Sequence, residues 1–447
     1  MDSQNRLRSA VVKDTTRREF GASVAKAVTA VAAPTVIASS ALGLGAKAVP
    51  SERITIGMIG IGRQARAYNL PWFLGSAETE VVALCDVDSW RLKNAVETVR
   101  KQSGKVAAHA DFRDLLADKS IDAVMISTPD HWHVPIAIAA LRQGKDVCCE
   151  KPITKSIAEG RRLVQEVEKH QRVFRVDSEA RFKPSFCKAA EVVRNGRIGK
   201  LVSMEVGVPI DNAKCGLPAT MPVPKELDYE MWQGPAATAP YTVNRVHPHQ
   251  SYLRPGWMRV QDYDDGMITN WGAHLIDIAH WGADLERTGP VRVQGAGVFP
   301  KNELWNVLQQ FKIDYQYANG VKLTVKPVKG HYTRFVGEDG WVEAGFSQVK
   351  ASAPELLRIP LGKDKIRLPR TDEKQDFVNC VKSRGRPIAD AEVGHRTNSI
   401  GLLGVIAAKT GQPLQWNPAT EQFVDNREAN KLLERSVREP WSQLAGR

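Results

Sequence analysis

Three groups of residues in this 447-residue chain have the types and spacing to do chemistry. Asp146 to Pro152 reads D-V-C-C-E-K-P, a short apolar run ending on an acid, a base and a proline. A buried parallel strand delivers side chains to its carboxyl edge in this way, and ligands sit at that edge in open α/β sheets. Pro152 excludes the helical region for Lys151 and holds its backbone extended. An ammonium fixed there can point at a bound sugar or nicotinamide, with Glu150 beside it; the plainer reading is a surface Glu-Lys pair closing a strand. Upstream, I-T-I-G-M-I runs into Gly60-x-Gly62-x-x-Ala65. Gly60 permits a tight turn, Gly62 lets the backbone approach a pyrophosphate, and Ala65 is small enough for a helix to pack on its strand. Arg63 and Gln64 open that helix, whose free N–H groups face phosphate. Asp86 ends a second strand, where a carboxylate accepts hydrogen bonds from the adenosine ribose and repels a 2′-phosphate, which favours NAD over NADP. Asp86 or Asp88 could equally serve as a helix cap. In the third group, Asn270, His274 and Asp277 fall on one stripe of a helix, beside an apolar stripe of Trp271, Leu275 and Ile278.

The elements that must position these residues alternate. After the second strand comes a helix to about Gln102, then a helix from Asp111 to Ala117 and a strand from Asp122 to Ser127 ending at Thr128-Pro129. A helix from Val134 to Arg142 leads into the Asp146 strand, giving a βαβ pattern with a parallel sheet. His133 lies early in that helix, where it touches either a nicotinamide ribose or solvent. Helix Ala158 to His170 and strand Val173 to Val176 close this half. Arg181 begins the crossing and either reaches cofactor or substrate, or pairs with an acid. Residues 211–260 form a long irregular segment, which inside a compact domain is usually functional. There His247, His249, Trp257 and Arg259 line a cleft, or Trp257 simply pins the loop. Beyond Arg292 three alternating runs, two of them flanking Asn319-Gly320, predict an antiparallel meander. Helices near Asp372 to Ser383 and Ala391 to Lys409 follow.

Taken in order, Gly60-Ile61-Gly62, Asp86, Thr128-Pro129 with His133, and Glu150-Lys151-Pro152 closely resemble the Gfo/Idh/MocA family of oxidoreductases. The resemblance covers nearly the whole chain after residue 48. It implies an α/β protein with a Rossmann domain binding NAD(P), then an α/β domain with a large, mostly antiparallel open sheet that carries a carbohydrate or cyclitol site and often mediates homo-oligomers. It further implies that Lys151 is the catalytic lysine, that Glu150 positions it, and that His274 matches a histidine of a proton relay. Asn270 departs from the family, which often has an aspartate there; an amide cannot accept a proton, so acid–base work falls to His274 or Lys151. Asp277 then reads as an orienting acid.

The expected organisation is residues 1–48 as a targeting segment, 49–177 as the dinucleotide domain and 178–447 as the substrate domain. Thr16-Arg17-Arg18-Glu19-Phe20 precedes an Ala-rich stretch and Ala46-Lys47-Ala48, the pattern of a twin-arginine signal; the translocase and a periplasmic or otherwise exported location follow. The net charge of +12 falls to +8 without that segment, and no basic run with interleaved aromatics suggests nucleic acid. Six cysteines without a Cys-x-x-Cys make neither a disulfide framework nor a thiolate zinc site, and His274, Asp277, His247 and His249 lack compact metal-ligand spacing. The expected reaction is hydride transfer to or from a ring carbon with tightly held NAD. Redox-neutral glycoside cleavage and a non-catalytic NAD-binding scaffold are the alternatives.

Overall fold

The computed structural model describes residues 52–358 and 366–444. The expected twin-arginine signal lies outside these residues. Strands β1 (Ile54–Ile59), β2 (Thr79–Cys85), β3 (Ala107–His109), β4 (Ala123–Ile126), β5 (Asp146–Cys149) and β6 (Phe174–Val176) form a parallel sheet in the order β3-β2-β1-β4-β5-β6. Every residue of β4 and β5 is buried, as expected where crossover helices cover both faces. The strand order reverses between β1 and β4, which opens a crevice at their carboxyl ends. Local capping sets the entry to each helix. Asp88 accepts from the N–H groups of Trp90 and Arg91 and caps helix Ser89–Ser103. Asp111 and Ser156 do the same for Phe112–Ala117 and Ile157–His170. Because Asp88 is the cap, Asp86 is left to face the crevice.

The second sheet has nine strands: β7 (Leu201–Pro209), β8 (Arg292–Val298), β9 (Gln309–Gln316), β10 (Lys322–Val328), β11 (Tyr332–Gly337), β12 (Gly340–Ala344), β13 (Val349–Ala351), β14 (Leu414–Asn417) and β15 (Gln422–Phe423). Their order is β13-β12-β11-β7-β10-β9-β8-β14-β15, antiparallel throughout except for β7 beside β10. Alternation along β9 sends Phe311, Ile313 and Tyr315 inward, with Ile313 and Tyr315 against helix Ala391–Thr410, while Gln310, Lys312 and Gln316 face out. The Asn319-Gly320 hairpin is present. Its turn runs from Tyr317 to Gly320 with a 3.0 Å bond from Gly320 N to Tyr317 O, and Gly320 has φ +87°. Ala318 and Asn319 therefore occupy its centre, and Gly320 supplies the left-handed third residue that closes the three-residue loop between Tyr317 and Val321.

The chain returns to the first sheet at its end. Phe377, Val378 and Cys380 of helix Glu373–Ser383 join the core under β1, and Ala389, Ala391 and Trp441 join the core on the other face. These late residues therefore belong to the packing of the dinucleotide half, although they follow the second sheet in sequence.

Candidate active site

A cavity opens at the carboxyl ends of β1, β2, β4 and β5. Its wall includes Gly60, Gly62, Asp86, Thr128, Glu150 and Lys151. Gly60 has φ +85°, and a Cβ there would lie 2.7 Å from Thr128 N and 2.8 Å from Ser127 C, so only glycine lets the first turn rest on the β4 loop. At Gly62 a Cβ would meet nothing within 4 Å and would project into the open space. Arg66 N bonds Gly62 O at 3.0 Å, so helical turns begin at this glycine and continue through Ala65–Asn69 and Leu70–Gly75. Asp86 takes N–H bonds from Ile61 (2.6 Å) and Asp88 (2.8 Å), which fixes its carboxylate at the end of the loop while it still lines the cavity. Arg63, Gln64, Pro129, His133, Trp257 and Asn270 also line it.

These features fit a dinucleotide. Thr128 Oγ1 and Tyr252 Oη are buried polar atoms with no hydrogen-bond partner, and both residues face the cavity. Buried polar groups left in this state are matched by a ligand or water.

In the same cavity wall, Lys151 Nζ donates to the carbonyl of Asn270 at 3.4 Å. This acceptor is free because the helix breaks there: Met267–Asn270 ends at Trp271, and His274 N bonds Trp271 O rather than Asn270 O. Asn69 Nδ2 reaches both Glu150 Oε1 (2.9 Å) and Ser127 Oγ (3.0 Å), holding the acid beside the lysine. Burial, and then the charge of Asp177, push the Glu150 carboxyl up to about 7 against the pull of Lys151. His133 is buried and sits between two carbonyls, with Nδ1 2.8 Å from Pro152 O and Nε2 2.9 Å from Thr128 O. It ties the β4 loop to the loop carrying Lys151, a positioning role.

His274 is placed differently from Lys151. It does not line the cavity; it is buried among Trp271, His331 and Phe346, with ring centroids 6.1 Å from Trp271 and 5.7 Å from Phe346. Trp271, His331 and Phe346 pack on one another at 4.9 to 5.9 Å. The His274 Nδ1 atom has no partner, and burial followed by the positive charge of Lys151 holds the ring well below its ordinary pKa. The break at Trp271 separates Asn270 and His274 into two helical segments instead of one stripe.

Arg181 and Asp277 stay away from the cavity. Arg181, 1% exposed, makes a two-pronged pair with Asp277 at 2.7 Å on each arm and reaches Glu286 at 2.5 Å. Ser178 and Thr397 satisfy the same aspartate. The expectation that Arg181 and Asp277 bind substrate is therefore corrected: they form a buried ion pair joining the turn Glu179–Phe182 to helix Gly272–Ala283, and both oxygens of Asp277 are already engaged. Arg259 pairs with Asp211 and His249 with Glu226, whereas His247 reaches Asp88 at 3.0 Å and lines the cavity. Among the described residues no cluster of His, Cys, Asp and Glu could hold a metal ion, and the cysteines are unpaired.

Residues 54–178 match the model of an oxidoreductase family described as the NAD-binding Rossmann fold, and residues 212–443 match that family's C-terminal α/β domain. The chain belongs to the Gfo/Idh/MocA oxidoreductase family. An inositol 2-dehydrogenase of Rubrobacter xylanophilus is 32% identical over 306 residues, 66% of this chain and 72% of that protein. Inositol 2-dehydrogenase 1 of Saccharopolyspora erythraea is 34% identical over 148 residues, 33% of this chain and 43% of the relative, so this match spans less than half of the relative's length. The WlbA dehydrogenase of Bordetella pertussis, solved in complex with NADH and UDP-GlcNAcA, superposes with a TM-score of 0.59 at 16% identity, covering 82% of this chain and 99% of that one. That likeness is one of fold.

Within this Gfo/Idh/MocA fold several site residues escape the sequence reading. Asn69, Asp130 and Tyr252 carry no motif of their own. Only Asp130 had a local signal, standing directly after Thr128-Pro129 in the run D-H-W-H.

A buried histidine sets an acid limit on stability. Burial lowers His280 from the ordinary 6.5 to about 4, so between these values the unfolded chain binds more protons than the folded one. Stability then rises with pH across that window and is lost as pH falls through it. Thermal unfolding followed from pH 6.5 toward 4 should show a falling Tm, with a shallower slope in His280→Gln; a flat profile would contradict the neutral assignment.

Proposed function

We propose that this protein is an exported, NAD(H)-dependent oxidoreductase that moves a hydride to or from a carbon of a sugar or cyclitol while holding its cofactor tightly. The observation that carries this reading is Lys151, which stands in the wall of the cavity that Gly60, Gly62 and Asp86 shape for a dinucleotide. The inositol 2-dehydrogenase relatives point to the substrate class. Asp86 favours NAD, since its carboxylate accepts from ribose hydroxyls and repels a 2′-phosphate. When bound, NAD supplies the hydride acceptor. The chain supplies the proton chemistry: Lys151 Nζ hydrogen-bonds the reacting oxygen and takes or returns its proton, and Glu150, anchored by Asn69, holds the lysine in place. His274, kept neutral by burial, lies outside the cavity among Trp271, His331 and Phe346, so the expected proton-relay role is not assigned to it.

The reading of tight retention is supported by contacts over the cofactor crevice. Residues 226–258 lie across the adenosine side of the first sheet: Ser89 N bonds Glu226 O, Asp228 N bonds Val87 O, and Arg91 Nη2 bonds Ser251 O at 2.8 Å. Tyr252 sits 5.2 Å from the Trp90 ring, under the guanidinium groups of Arg66 and Arg91. Loosening this strap with Tyr252→Ala should speed cofactor loss by about tenfold, which corresponds to ~1.4 kcal/mol. Timed dialysis followed by mass spectrometry of the retained dinucleotide measures it, and identical retention in the two proteins would contradict it. Export rests on Arg17-Arg18 and is supported by cysteines that are unpaired and mostly buried, as suits a chain folded before translocation.

The reading as a whole is tested on natively exported protein. Bound NAD should be reduced on addition of a cyclitol or aldose from a panel, with the matching ketone or lactone formed in equal amount. Release of an aglycone from glycosides without net NADH would replace this reading by redox-neutral cleavage.

A further inference from the structure

A second cavity, of about 280 Å³, lies where the loop after Pro152 meets helix Ala391–Thr410 and residues 432–436. That is near the lower end of the space small-ligand sites occupy. It shares no wall residue with the cavity that holds Lys151. Lys155, Gln261, Asp265 and Lys409 bring polar groups to it, and Leu402, Val405 and Ile406 form an apolar side. The wall is braced from behind: Asn398 Nδ2 donates to Thr154 O at 2.8 Å, and Ala158 N to Leu433 O at 3.0 Å.

Several of the charges on this wall are already spent. Arg435 bonds Glu159 and the His131 carbonyl, Glu434 pairs with Arg162, and Asp262 lies 3.6 Å from Arg245. Lys155 and Asp265, 9% and 7% exposed, pair with each other. An ammonium carries three N–H donors, and Asp265 Oδ2 is the single acceptor that Lys155 Nζ meets among the described residues. Asp265 Oδ1 takes no hydrogen bond among them. Lys409 makes no ion pair among the described residues, and its Nζ lies 5.7 Å from the centre of the Phe299 ring. Gln261 Nε2 is buried without a partner, a state that a ligand or water matches. The wall thus holds one cation in excess, unspent N–H groups on a buried lysine, and a carboxylate oxygen open to a hydroxyl.

We propose that this cavity binds a small hydroxylated carboxylate, a sugar acid in chemical class, at a place separate from the redox site. The ligand carboxylate takes N–H bonds from Lys409 and Lys155, a ligand hydroxyl donates to Asp265, and the carbon chain lies along Leu402, Val405 and Ile406. A simple oxyanion would set its charge against Asp265 with no hydroxyl to offer, and a neutral polyol would leave Lys409 uncompensated.

The test is titration calorimetry of full-length, cofactor-loaded protein with gluconate, with inorganic phosphate and sorbitol as comparisons. Gluconate should bind, and Lys409→Gln should weaken it by at least about tenfold, the loss that goes with a hydrogen bond to a charged group. Lys155→Met with Asp265→Leu removes both charges together, so neither is stranded, and should abolish binding. Lys151→Ala should bind gluconate as the wild type does. Absence of gluconate binding would overturn the proposal, as would phosphate or sorbitol binding as tightly as gluconate. Binding lost in Lys151→Ala and kept in Lys409→Gln would place the ligand in the redox cavity and overturn it too. Heat of binding is read rather than turnover, so a protein that oxidises no sugar or cyclitol still answers for this site.

Discussion

Lys151→Ala is expected to lower the rate of substrate-driven reduction of bound NAD by 10²- to 10⁴-fold, the range typical of losing a positioned acid–base group. The variant should keep its cofactor. Lys151 docks on the Asn270 carbonyl, whereas the elements shaped for the dinucleotide are Gly60, Gly62, Asp86 and Thr128. Lys151→Arg should not restore the rate, because a planar guanidinium neither fits the site of a compact ammonium nor gives up a proton. Stopped-flow absorbance of the bound nicotinamide measures both variants. Activity retained in Lys151→Ala would favour the scaffold alternative instead.

Arg181→Met is expected to be the most damaging single change to stability, by about 3–5 kcal/mol, since it strands Asp277 and leaves Glu286 without its closest partner in a buried setting. Adding Asp277→Leu should recover a large part of that loss, because removing both charges also removes the desolvation cost of each. Denaturant unfolding of the two singles and the double gives the coupling energy. The folded Arg181→Met fraction should keep its KM for sugar, which a residue that binds substrate directly would not.

The parts of the fold carried by periodicity and caps were legible in the sequence. The βαβ alternation, the glycine turn and the apolar run ending at Glu150-Lys151-Pro152 all depend on residues close in the chain, and each appears where its pattern places it. Asp86 was separable from Asp88 only with coordinates, because either can cap a helix and the choice depends on which N–H groups each meets. The Asn270, His274 and Asp277 stripe misled for a local reason. Trp271 ends one helical turn and starts another, so Asn270 faces the cavity, His274 lies among aromatic rings, and Asp277 meets Arg181. Asn69 and Tyr252 were invisible since their partners lie 81 residues away at Glu150 and 162 away at Trp90. No short-range pattern encodes such pairings.

The most direct test of the central claim is a crystal structure of the protein with its co-purified dinucleotide. The account predicts the pyrophosphate over Gly62, the adenosine ribose on Asp86 beneath Tyr252, and the reactive face of the nicotinamide open toward Lys151, near enough for a substrate carbon to sit roughly 3–3.5 Å from it. Nicotinamide density at the Asp86 end, or a ring whose reactive face is turned away from Lys151, would contradict it.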